Sequence, residues 1–150
     1  MSKNRLVLLI IALLAALVIF LPIISGYWHL FAAESGQNGL QASAGYEFAA
    51  RWLPWRADLY ERAALSALDG QDATRAIALF SIARQKGALS SSGQLHLGDA
   101  YFSAGETEKA LSEWQGLLND SQVRGAASQR LVEGYFSQGR FESAEMVLRR

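Results

Sequence analysis

Four residues of a five-residue run in this chain return in the same places 34 residues later. Tyr101-Phe102-Ser103-Ala104-Gly105 is echoed by Tyr135-Phe136-Ser137-Gln138-Gly139. Ala110 returns as Ala144 and Trp114 is matched by Leu148; one period earlier the same slots hold Ala76 and Phe80. A fixed period of roughly 20–50 residues marks stacked units, each too small to bury its own apolar face and each covered by its neighbour. This constrains the fold more tightly than composition does.

The residues in these slots resemble the tetratricopeptide repeat family, whose unit is a helix–turn–helix of about 34 residues. A repeat begun at Ser91 supplies Leu97, Gly98, Tyr101, Ala110 and Trp114. One begun at Ala57 supplies Tyr60, Ala64, Ala76 and Phe80, and one begun at Gly125 supplies Leu131, Tyr135 and Ala144. Small residues let the two helices of a hairpin approach, and large ones fill the space between hairpins. Extended backwards, the frame also takes in Ala42, Tyr46, Ala49 and Pro54. The resemblance therefore covers about residues 40–150: a half repeat 40–56, repeats 57–90 and 91–124, and an incomplete repeat 125–150. It implies an all-α fold, an α-solenoid of stacked hairpins. Helices are expected at 40–53, 57–68, 73–86, 91–104, 107–119, 123–137 and 140–149. Gly70, Gly87, Gly105 and Gly139 fall at the breaks, where a helix end takes positive φ. Asp72 and Thr107 stand where N-caps are wanted.

Leu6–Ile24 is free of charge. As a helix it reaches roughly 28 Å, close to the hydrocarbon thickness of a bilayer. Pro22 falls in its last turn, and Tyr27 and Trp28 follow where an aromatic belt would lie. Residues 1–26 are therefore expected to be a cytoplasmic tip and membrane anchor, and 27–39 a linker. A cleaved signal peptide is the alternative, although its apolar region is shorter and Phe31-Ala32-Ala33 is a poor cleavage site. A buried core helix is the remaining one. Lys3 and Arg5 precede the span and the next Lys or Arg is Arg51. The positive-inside rule then places the N-terminus in the cytoplasm and the repeats outside, at a bacterial cytoplasmic membrane.

No residue pattern points to catalysis. The 150 residues include no cysteine and two histidines, His29 and His96, without metal-ligand spacing. Ser90-Ser91-Ser92-Gly93 lacks the lysine of a phosphate loop and the flanking glycines of a hydrolase elbow. Formal net charge is zero, which gives no electrostatic argument for nucleic acid. The expectation is no enzyme, no catalytic residue, no metal and no cofactor.

The function class implied is binding. In the family, the first helices line a concave groove. Carried over, this puts Asp58, Glu61, Arg62, Leu65 and Leu68 there, then Leu95, His96, Asp99, Phe102 and Ser103, then Gln129, Arg130, Glu133, Phe136 and Ser137. Glu61, Arg62, Asp99, Phe102, Gln129, Glu133 and Phe136 are the candidates for partner contact. Acids and two stacked phenylalanines imply a partner segment with apolar anchors and some positive charge. Family members that clamp a C-terminal carboxylate use Lys and Asn in slots that here hold Asp58, Glu61 and Asp99, which excludes that sub-function. The expected role is a membrane-anchored scaffold holding a protein partner, with the bilayer engaged through Leu6–Ile24. The alternatives are an accessory part of an envelope-biogenesis enzyme system (polysaccharide synthesis or cytochrome maturation) and a self-associating structural protein. The third repeat stops short and would leave Phe141, Ala144, Val147 and Leu148 partly bare. Either the natural array is longer or that face meets something, including another copy.

Overall fold

The computed structural model describes residues 3–36 and 38–149, with side chains from residue 7 onward. Gln37 of the expected linker, Arg150, and the side chains of Lys3, Arg5 and Leu6 lie outside the described residues. Among those described there are eight helices and no strand: α1 (Lys3–Ser35), α2 (Gly39–Trp52), α3 (Asp58–Asp69), α4 (Ala73–Gln85), α5 (Ser91–Ser103), α6 (Thr107–Gly116), α7 (Arg124–Ser137) and α8 (Phe141–Leu148). Each helix packs on the next in the chain, and α3 also touches α5, as α5 touches α7.

Four turns share one geometry. Gln71, Gly87, Gly105 and Gly139 have positive φ. Beside each, the following N–H donates five residues back: Asp72 to the Ala67 carbonyl, Ala88 to Ala83, Glu106 to Tyr101 and Arg140 to Tyr135, at 2.8–2.9 Å. This is the Schellman closure, which satisfies carbonyls the helix end leaves bare. Gln71, Gly105 and Gly139 stand 34 residues apart, so the turns carry the period seen in the sequence. The expectation for Gly70 is corrected: its φ is −78°. Gly70 is needed instead for space, because a Cβ there would lie 2.7 Å from the Leu40 Cγ.

Asp72 caps α4, accepting from the Arg75 N–H at 2.9 Å. Ser90 caps α5 through the Gly93 N–H at 2.9 Å, and Asn38 accepts from Leu40 at 3.0 Å. Thr107 does not cap. It is the first residue of α6, and the preceding Glu106 makes no side-chain cap bond because its carboxylate pairs with Lys109. Helix α6 stops at Gly116, earlier than expected, in a run of turns up to Val123.

The helix from the apolar run does not stop near Pro22. It continues to Ser35, so residues 27–35 are helical and the break before α2 lies between Ser35 and Gly39. Proline costs a backbone hydrogen bond within a helix, and packing beyond it offsets the loss. Gly26, Leu30 and Ala33 are buried along one face at helical spacing. They meet α2 closely: a Cβ on Gly26 would lie 2.9 Å from the Leu53 Cγ, and one on Gly45 2.8 Å from the Ala33 Cβ.

The core forms three adjoining clusters. Leu30, Ala49, Ala50, Leu53 and Leu59 make the first. Ala63, Ala64, Ala67, Ala76, Leu79, Phe80, Leu97 and Ala100 make the second. The third gathers Ala110, Leu111, Trp114, Leu117, Ala127, Leu131, Tyr135 and Ala144 with Leu95. Tyr46 and Tyr60 pack against the first two, and Tyr101 against the second and third. Tyr60 and Tyr101 are accordingly half-buried, with Lys86 and Lys109 over their rings.

A polar ladder ties each helix to the one two places on. Arg62 donates to Glu34 at 3.2 Å and Arg75 to Glu47 at 2.8 Å, linking α3 to α1 and α4 to α2. Glu61 on α3 accepts from the Ser90 N–H and hydroxyl, both at 2.7 Å, at the start of α5. Arg84 reaches Glu113 from α4 to α6, Arg130 reaches Asp99 from α7 to α5, and Gln138 before α8 reaches Glu108 on α6. The exposed ion pairs among these are worth about 0–1 kcal/mol each. They fix register between units that the apolar clusters hold together.

Candidate partner groove

On α5 the residues Asp99, Phe102 and Ser103 share a face, being three and four apart. On α7, Gln129, Arg130 and Glu133 do the same. Because α5 and α7 touch, these faces enclose an open depression of about 320 Å³ with Trp114 of α6 in its floor. Phe102 is 38% exposed, and its ring centre lies 5.8 Å from that of Trp114 at 47°. The indole N–H donates to the Leu95 carbonyl at 3.2 Å, so the polar edge of Trp114 is satisfied and its ring is left as apolar floor.

The polar wall is internally matched. The Asp99 carboxylate accepts from the Arg130 Nε at 2.5 Å and stands 3.3 Å from the His96 Nδ1. Burial works against the charged carboxylate, but the hydrogen bonds from His96 and Arg130 and the Arg130 charge outweigh it, holding Asp99 below its usual pKa. The same bond to Asp99 raises Arg130, against its partial burial. Gln129 donates to Glu133 at 3.1 Å. Of the seven expected contact residues, the structure thus brings Asp99, Phe102, Gln129 and Glu133 together.

The other three lie elsewhere. Glu61 is taken up by the Ser90 cap and lies so close to Gly93 that a Cβ there would sit 2.5 Å from the Glu61 Oε2. Arg62 pairs with Glu34 and Asp58, and Asp58 accepts from two guanidinium nitrogens of Arg56, Nε and Nη2, each at 2.8 Å. Phe136 sits edge-on to Phe141 at 5.4 Å. The expected stack of Phe102 on Phe136 is therefore corrected: each is paired within its own hairpin. Leu95 is core rather than groove, and Leu65 and Leu68 pack against the second cluster. Charged and polar partners recur 28–32 residues apart, just under one repeat, and this spacing marks Glu61 and Asp99 as already engaged.

At the far end Ala144 is buried, contrary to expectation, whereas Phe141, Met146 and Leu148 are exposed. Among the described residues no group of three or more His, Asp or Glu side chains is placed to hold a metal ion. Val7–Ser35 is a helix long and apolar enough to cross a membrane, and a signal sequence would meet the same measure. No protein-family model matches the chain, and no curated protein matches it either.

Proposed function

We propose that the chain is a membrane-anchored tetratricopeptide scaffold that docks a protein segment in the α5–α7 depression. What carries this reading is Phe102: a large apolar side chain left 38% exposed beside an otherwise satisfied polar wall. An exposed aromatic beside polar groups that are already paired offers apolar area to a partner, and aromatic side chains are enriched at such contacts. The 34-residue recurrence of the left-handed turns and of the buried slots supports the tetratricopeptide assignment. Around the opening, Asp99 and Arg130 cancel and Glu133 adds a negative charge. The occupant is therefore a helical or extended segment with an apolar anchor and a neighbouring cation. The anchor is α1, with Lys3 and Arg5 on the cytoplasmic side and the helical stack outside.

The test is affinity purification of the full chain from membranes. Proteins recovered with the parent chain should be lost with Phe102→Ser and with Glu133→Lys, and kept with Leu148→Ser. An identical set from all four chains would refute the docking site. The absence of cysteine makes topology equally testable. In intact spheroplasts a membrane-impermeant maleimide should label Ser92→Cys, and protection of that site would overturn the outside assignment.

A second reading rests on the exposed Phe141, Met146 and Leu148 of the last hairpin: copies of the chain stack end to end there. A mass by light scattering that rises with concentration would favour it.

A further inference from the structure

The helices α1 and α2 run antiparallel, and their contacts fix how far α2 descends along α1. Gly45 lies against the His29 carbonyl and Ala33, whereas Gly26 lies against Trp52 and Leu53. Ile23 packs against the cluster that holds Leu53. The end of α2 and the turn into α3 therefore stand level with residues 23–26 of α1. If Leu6–Ile24 fills the hydrocarbon layer, at roughly 28 Å, this is the height at which α1 leaves it.

That turn is aromatic. Trp52 is 43% and Trp55 57% exposed, and Phe48 is also open, 6.2 Å from Trp52 between ring centres. On α1, Tyr27, Trp28 and Phe31 are exposed at the same end. Tryptophan and tyrosine favour the boundary between acyl chains and headgroups, where an apolar ring and a polar N–H or O–H are both accommodated. Arg51 adds charge. Its partner Glu47 is shared with Arg75, at 2.6 and 2.8 Å, so one carboxylate serves two guanidinium groups.

We infer that the turn Trp52-Leu53-Pro54-Trp55 is a second membrane contact, seated in the headgroup layer of the leaflet from which α1 emerges. The inference rests on reading α1 as a spanning helix. Two points of attachment, with the helix packed between them, would hold the first hairpins at a set tilt to the membrane rather than on a free tether.

The experiment uses the full chain reconstituted in phosphatidylcholine vesicles whose acyl chains carry bromine near the headgroup. Three variants each keep one of Trp28, Trp52 and Trp55 and replace the other two with Phe, and a fourth replaces all three. Buried Trp114 stays in every variant as the unquenched background. Phe preserves the aromatic contact of Trp52 with Phe48, and the four chains should give the same helical circular dichroism. The expected result is loss of emission at Trp52 and Trp55 comparable with that at Trp28. Quenching of Trp28 alone would overturn the second contact and leave the anchor standing. No quenching at any of the three, with no flotation of the protein on the vesicles, would overturn both.

Discussion

The α5–α6 and α7–α8 hairpins use the same slots and finish differently. In the first, Trp114 is 2% exposed, and its indole is held between two glycines. A Cβ on Gly98 would run into the indole, 2.6 Å from Cδ1, and one on Gly134 would lie 3.1 Å from Cζ3. In the second, Leu148 occupies the slot of Trp114 and is 71% exposed. Its partner 34 residues after Gly98 is Val132, and among the described residues no helix covers the far side of α8. The earlier hairpin gives a third case, in which Phe80 shares a cluster with Ala64 and Ala100, the counterparts of Gly98 and Gly134. The larger ring goes with the smaller neighbours. Each aromatic is thus matched both to its own hairpin and to the next one, and a unit is closed only when both are present.

Removing the ring breaks the closed unit most severely. Trp114→Ala should cost about 3–5 kcal/mol, the range for deleting a buried aromatic, measured by denaturant or thermal unfolding. A loss no larger than that of a surface substitution would contradict the packing. Gly98→Val should cost about 1–3 kcal/mol by overpacking against the indole. An unchanged melt would count against the assigned register. The double change Gly98→Ala with Trp114→Phe imitates the Ala64–Phe80 pair. It should be less damaging than the two single changes summed, by about 0.5–3 kcal/mol of coupling. Strict additivity would show that the size match has no energetic content.

The Asp99–Arg130 bond gives a smaller effect, with a sign set by its pKa. Asp99 is held below its usual value in the folded state. Its contribution is therefore complete above the ordinary carboxylate range and is lost as pH falls through the lowered value. Asp99→Asn should be less stable than the parent chain at neutral pH, and the two should converge in acid. A constant gap at every pH would contradict the assignment. Leu148→Ala, on the open hairpin, should change stability by less than about 0.5 kcal/mol. A loss near that of Trp114→Ala would mean that Leu148 is covered in solution, as end-to-end stacking requires.

The helices and the buried slots were legible because they depend on periodic size and polarity, which the sequence states directly. Gln71 was missed because glycine is the expected left-handed residue, and Gly70 stood next to it for another reason, the closeness of Leu40. The continuation of α1 past Pro22 was missed because local propensity ends a helix at proline, whereas the contacts of Gly26, Leu30 and Ala33 with α2 arise only in three dimensions. In the candidate groove, face and position on the helix were readable. Whether a carboxylate was free depended on a partner about 30 residues away: Glu61 was taken by Ser90 and Asp99 by Arg130.

The docking account is tested most directly by a photoreactive amino acid in place of Phe102 in living cells, with a control at the exposed Ser112 of α6. Mass spectrometry would then identify what each position captures. The account expects one foreign protein joined to position 102 and absent from position 112. Adducts at 102 only with the chain itself, none at all, or the same set at both positions would contradict it.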